Sequence, residues 1–343
     1  MAFTTIDKSS LHFNTLLYSG NSSARSLTGV GFAPSLVWIK ERTSTSDHML
    51  FDQPRGVQKY ISSNLTNAEQ TSAGMLTAFD SDGFSLGSGN DVNDNGQTYV
   101  AWNWKAGGAG SANTDGSINS TATSANTTAG ISIIKYTGTG SAATVGHGLG
   151  AVPKTIWIKK TSGSESWGVY HNSIGNTHFL QFNTTGGDSN NDTFWNDTTP
   201  TSSVFSIKSD AGVNGSGQTY IAYCFAEKTG FSKFGTYNGN GNANGTFVYT
   251  GFKPSLIIIK RSDATGWWSM FNDKSLGYNA DNNALFPSSN DAENTSNFLD
   301  IVSNGFKLRD SNANLNNSGS KYVYMAFAKA PLVGSNNVPA TAR

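Results

Sequence analysis

The chain has one cysteine, Cys224, in 343 residues, which excludes an intramolecular disulfide and any thiolate metal cluster. Stability must then come from packed cores. Charge is scarce as well: 23 Lys and Arg balance 23 Asp and Glu, and only 13% of the chain is charged. A phosphate-binding face needs a surplus of Lys and Arg, so neither nucleic acid nor an anionic membrane surface is an expected partner. No apolar run approaches the ~20 residues that span a bilayer, and membrane insertion is not expected. The first residues, Met1-Ala2-Phe3-Thr4-Thr5-Ile6-Asp7-Lys8, lack the basic and apolar regions of a signal peptide. Synthesis in a cytoplasm without an N-terminal export signal is the expectation. A sustained 3.6-residue period is also missing, which argues against long helices.

What is present is a turn-rich, β-type chain with a segment used three times. Pro34-Ser35-Leu36-Val37-Trp38-Ile39-Lys40 returns as Pro153-Lys154-Thr155-Ile156-Trp157-Ile158-Lys159 and as Pro254-Ser255-Leu256-Ile257-Ile258-Ile259-Lys260. Each copy follows a glycine turn and reads as a strand, because Pro holds the chain extended and the β-branched run has no helical period. Other features keep register with these prolines. Tyr18, Tyr136 and Tyr237 precede them, Phe51, Tyr170 and Phe271 follow, and Phe84, Phe205 and Phe306 come later still. The last shared stretch runs Tyr99-Val100-Ala101-Trp102-Asn103-Trp104, Tyr220-Ile221-Ala222-Tyr223-Cys224-Phe225 and Tyr322-Val323-Tyr324-Met325-Ala326-Phe327.

The expected fold is all-β: three tandem antiparallel β-sandwich repeats, jelly-roll-like, each of roughly ninety residues. The expected boundaries are repeat one with an N-terminal arm at 1–105, a Gly/Ser/Asn linker at 106–116, repeat two at 117–229, repeat three at 230–330 and a polar tail at 331–343. The linker reads as flexible, whereas repeats two and three, joined by little more than Lys228-Thr229-Gly230, should pack more rigidly. In the closing strand Val100, Trp102 and Trp104 share one face, and Tyr99, Ala101 and Asn103 the other. Trp38 and Trp157 are expected in the sandwich cores.

Catalytic and metal chemistry find little support. His12, His48, His147, His171 and His178 make no ligand spacing, and His171 and His178 read as surface residues. Asp80 with Asp82, or Glu165, could be nominated as a glycosidase pair, but Asp80-Ser81-Asp82-Gly83 reads more simply as a turn with capped amides. No enzyme is expected. Asp91, Asn93 and Asn95 place oxygens at alternate positions before Gly96, like the first half of a calcium loop, although Trp102 stands where the bidentate Glu belongs. They are candidate Ca²⁺ ligands or, alternatively, Asx turns; the corresponding loops are expected to begin at Asp210 and Asp310. No other cofactor is expected. Trp167, Trp195, Trp267 and Trp268 are candidate platforms for stacking on a sugar, or else core residues. Cys224, opposite Asn103 and Ala326, reads as a small packing residue.

Phe3-Thr4-Thr5-Ile6-Asp7, Pro34 to Lys40, Ser63-Asn64-Leu65-Thr66-Asn67-Ala68-Glu69 and Tyr99 to Gly108 together resemble a repeat family of tailed phages of marine bacteria and cyanobacteria. The likeness continues through Thr139 to Gly150 and Tyr223 to Gly235. This resemblance implies a non-enzymatic, tail-fibre-like structural protein of the virion surface, and together with a repeated scaffold bearing variable polar loops it makes contact with host surface polysaccharide the expectation. Its implied partners are other virion proteins and further copies of itself, a trimer being favoured. A capsid decoration or cement protein is the alternative, and a polysaccharide depolymerase a third. The family offers no catalytic residues to carry over.

Overall fold

The computed structural model describes residues 4–275 and 283–333. Apart from short helical turns, its regular structure is β, in antiparallel sheets grouped in three regions that follow the repeats. In the first region a large sheet has the order Phe13–Ser19, Thr98–Trp104, Leu36–Glu41, Met49–Asp52, Lys59–Ser62, Gln70–Thr71. A smaller sheet, Arg25–Thr28, Gly83–Leu86, Leu76–Asp80, covers one of its faces. The second region orders Ala122–Asn126, Ile131–Thr137, Thr219–Ala226, Pro153–Lys160 and Gly168–His171, with Ala143–Gly146 paired to Val204–Ile207. The third orders Ser232–Asn238, Lys321–Pro331, Phe252–Arg261, Trp268–Asn272 and Ala284–Leu285, beside Phe247–Tyr249, Gly305–Leu308 and Leu299–Val302.

In every region the closing strand sits between the strand that carries the leading tyrosine (Phe13–Ser19, Ile131–Thr137 or Ser232–Asn238) and the proline strand, with Trp38 opposite Trp102, Trp157 opposite Tyr223 and Ile258 opposite Met325. Its two faces have different destinations. Tyr99 and Ala101 join Leu27, Phe84 and Leu86 in the core of repeat one itself. Val100, Trp102 and Trp104 join a cluster to which all three repeats contribute. The small sheet covers only one face of the large one, so the apolar side chains on the other must find cover elsewhere, and each repeat finds it on its neighbours.

The outcome is a closed ring with internal pseudo-threefold symmetry. The equivalent residues Trp104, Phe225 and Phe327 meet as a triangle, with ring centroids 6.4, 5.6 and 5.5 Å apart. Trp38 and Trp157, expected inside separate sandwiches, instead meet edge to face at 6.0 Å in the shared core. Repeat one is therefore packed as closely as the others, contrary to the looser attachment that its Gly-rich connection suggested. That connection is itself tied down: Ser111 bridges Thr123, and the Gly107 amide donates to Ser124 Oγ at 2.9 Å. In the N-terminal arm Thr4 and Ile6 are buried, Ile6 within the shared core. Of the expected tail, 334–343 lies outside the described residues.

Each repeat closes its outer end with the same tyrosine pair. Tyr18 stacks on Tyr99, Tyr136 on Tyr220 and Tyr237 on Tyr322, at 5.1, 5.2 and 5.0 Å. The first of each pair donates its hydroxyl to a backbone carbonyl, of Val92, Val213 or Leu315, each at 2.7 Å. The glycine two residues on is required by close backbone approach: a Cβ at Gly20 would lie 2.0 Å from the Asp94 carbonyl oxygen.

Candidate functional site

Two of the four aromatic candidates, Trp167 and Trp268, are consumed by the ring seams. His48, Trp167 and Trp268 occupy equivalent positions, and each reaches across a seam to a backbone carbonyl. Trp167 Nε1 donates to Ser62 O at 2.9 Å and Trp268 Nε1 to Gln181 O at 2.8 Å, while His48 Nε2 lies 3.0 Å from Phe286 O. Trp167 and Trp268 are fully buried, so neither can offer a face to a sugar. Trp195 is buried too, donating to His178 O at 3.1 Å and packing edge-on to Tyr170. His171, expected at the surface, is instead buried, with Nε2 3.2 Å from Tyr324 O across the seam between repeats two and three. Burial lowers its pKa to about 4 and holds it neutral.

The lysines ending the repeated strand also turn into the seams. Lys159 Nζ donates to Thr66 O at 2.9 Å and Lys260 Nζ to Thr185 O at 3.3 Å. Desolvation lowers Lys40 and Lys159 to about 8 and Lys260 to about 7. A lysine at the end of an apolar strand in all three copies was visible in the sequence, but the acceptors of Lys159 and Lys260 lay one repeat away, while Lys40 Nζ donates within its own repeat to Glu41 O at 2.6 Å.

The calcium candidates are held by different partners. Asn93 is fully buried; its Nδ2 donates to Gly87 O and Ser23 O, both at 2.8 Å, and its Oδ1 accepts from the Asn21 amide at 3.1 Å. Asn214 and Asn316 repeat this clamp, each donating to the carbonyl six residues back, Lys208 O and Asp310 O. Aligned on these asparagines, Asp91 corresponds to Gly212 and Asn314 and not to Asp210 and Asp310. The Asp91 carboxylate accepts from Ser46 Oγ at 3.2 Å, and burial raises its pKa. Asn95 is exposed, its amide donating to Ser22 Oγ at 2.9 Å. Among the described residues no group of three or more His, Cys, Asp or Glu could hold a metal ion.

The nominated acids act as caps. Asp82 accepts from the amides of Gly29 and Gly31 at 3.1 and 2.5 Å, Asp80 from Ser85 Oγ at 2.7 Å, and Glu165 from the Ser166 amide at 3.0 Å.

Trp267 is different. It is 38% exposed and leans against Phe286, with centroids 5.9 Å apart and planes at 54°. Together they wall a groove of about 250 Å³ on the third repeat, whose polar lining includes Ser269, Asp291, Asn294 and Asn312. The Trp267 amide is fixed by Asn314 Oδ1 at 3.1 Å, and Asn314 Nδ2 donates to Asn312 Oδ1 at 3.0 Å. Sequence reasoning found Trp267 but not its neighbours, which come from segments far along the chain and meet only because the third repeat folds them onto one side.

Fold and groove together define a three-repeat all-β protein closed into a ring, with an aromatic and amide-lined depression on its third repeat. Residues 8–331 match DUF7483, a domain of unknown function, and the chain belongs to that family. The match runs through all three repeats, in keeping with a core that the three share. No curated protein matches the chain.

Proposed function

We propose that this chain is a non-enzymatic structural protein displayed on the surface of a tailed-phage virion, where it contacts host surface glycans through its third repeat. The observation that carries the glycan part is where the exposed aromatics fall. Phe247, Tyr249 and Trp267 are 47, 54 and 38% exposed, and all belong to repeat three. Their counterparts by strand pairing and by distance from the proline are Ser26, Thr28 and Asp47 in repeat one, and Thr144, Gly146 and Ser166 in repeat two. The scaffold thus folds twice without them, and aromatic faces in water are suited to apolar sugar faces. The virion setting rests on the sequence resemblance, and the partners it brings are other virion proteins. Binding of the purified protein on a glycan array, together with its detection in purified particles, tests both parts. Absence from particles would overturn the setting, and an array without signal would overturn the glycan contact.

A second reading, capsid decoration, draws on the pseudo-threefold ring, since a single chain with this internal symmetry suits a threefold position on a shell. Particle imaging decides between them by site and copy number.

A further inference from the structure

We infer that the groove beside Trp267 is a subsite for one neutral pyranose ring, an assignment that rests on the glycan reading above and narrows it to a place and a class of sugar. Trp267 and Phe286 form two inclined apolar walls, suited to a C–H face of a pyranose on one side and the ring edge on the other. The volume of about 250 Å³ is below the ~300–1,000 Å³ typical of drug-sized ligands, which suits a single ring whose glycosidic neighbours continue into solvent.

The polar lining supplies what hydroxyls need. The Nδ2 groups of Asn294 and Asn312 have no hydrogen-bond partner among the described residues, since the bonds of these side chains engage only their oxygens. Ser269 lines the groove beside them and adds a hydroxyl. Asp291 accepts from Ser289 Oγ through Oδ2 at 2.6 Å and keeps its other oxygen for a sugar hydroxyl. Its negative charge at the rim also disfavours uronic and sialic acids, which is why the class is neutral.

The test titrates the full chain with methyl glycosides of glucose, galactose, mannose and N-acetylglucosamine, and with glucuronic and sialic acids, by saturation-transfer NMR and tryptophan fluorescence. Trp267→Ser installs the residue that repeat two already carries there, so folding is not at risk; Asn312→Ala is the second variant and Val57→Thr, at an exposed position on repeat one, the control. The expected result is binding of at least one neutral glycoside, weakened tenfold or more by Trp267→Ser, severalfold by Asn312→Ala and not at all by Val57→Thr. Neutral binding untouched by Trp267→Ser overturns the groove and leaves the glycan reading standing. Binding of acidic sugars alone, lost in Trp267→Ser, overturns the class. No binding of any sugar here, with an array also without signal, overturns both the groove and the glycan reading.

Discussion

Tyr223 and Asp52 meet across the seam between the second and first repeats, the tyrosine hydroxyl donating to Asp52 Oδ2 at 2.7 Å, with both side chains buried. Arg55 Nε donates to the same oxygen at 2.5 Å, and Arg55 Nη2 to Leu50 O at 2.8 Å. Burial alone would lower the Arg55 pKa, but Asp52, Tyr223 and Glu69 outweigh it and keep the guanidinium charged. Removing the carboxylate strands that charge. Asp52→Ala should cost about 3–5 kcal/mol, whereas Tyr223→Phe, which leaves the ion pair intact, should cost about 1–2 kcal/mol. Urea denaturation of both variants checks the ranking, and equal losses would mean that the tyrosine and not the ion pair holds this seam.

Because one core is shared by three repeats, the ring should unfold as a unit. Trp157 packs against Trp38, Phe182, Tyr223 and Phe225 at 6.0, 5.1, 6.3 and 4.5 Å, so Trp157→Ala should cost roughly 3–5 kcal/mol and shift one calorimetric transition. A separate melting of one repeat would show that the core is not cooperative. The excised segment 117–229 would expose Trp157, Trp167 and Phe225 together and is expected to lack a native near-ultraviolet dichroism spectrum.

How far the sequence foretold this can be read from single strands. The alternation of Val100, Trp102 and Trp104 with Tyr99 and Ala101 announced a sheet buried on both faces, and it is. What alternation cannot say is whose atoms cover each face, so Trp38 and Trp157 were placed in sandwiches and not between them. His48, Trp167 and Trp268 stand at the same distance past Pro34, Pro153 and Pro254, yet their common task is a bond to the neighbouring repeat, which no pattern within one repeat reveals. In the groove, Trp267 was one of four candidate tryptophans with nothing to separate it from the three that are buried; Phe286, Asn294 and Asn312 carried no signal at all, being ordinary loop residues until the fold gathers them.

The clamp asparagines lead to a prediction about metal. Asn93, Asn214 and Asn316 are fully buried with their amides spent on backbone carbonyls, so each substitution by Ala should cost about 1–3 kcal/mol through stranded backbone groups. Calcium should leave the melting temperature unchanged, since Asn93 has no oxygen to spare. A calcium-dependent rise, abolished by Asp91→Asn, would reinstate the ion.

The three seam lysines give the protein an alkaline stability optimum. Their folded pKa values of about 8, 8 and 7 lie below the ordinary 10.5, so between about pH 7 and 10.5 the unfolded chain binds more protons than the folded one. Stability then rises with pH across that window. Buried histidines act in the same direction at lower pH, since His48 and His171 are both held below 6.5 by desolvation. Above about pH 10 the sign reverses. Desolvation raises Tyr18, Tyr136, Tyr223 and Tyr237 above 10.0, and the unfolded chain then loses protons that the folded one keeps. The carboxyls raised by burial, Asp91, Asp188 and Asp210, titrate in the acid range and leave this window untouched. Melting temperature should climb from pH 7 to about pH 9.5 and fall beyond pH 10.5, and Lys260→Met should flatten the climb. A profile flat from pH 7 to 10 in the unmodified protein would mean that the lysines reach solvent and that the seams are looser than their hydrogen bonds imply.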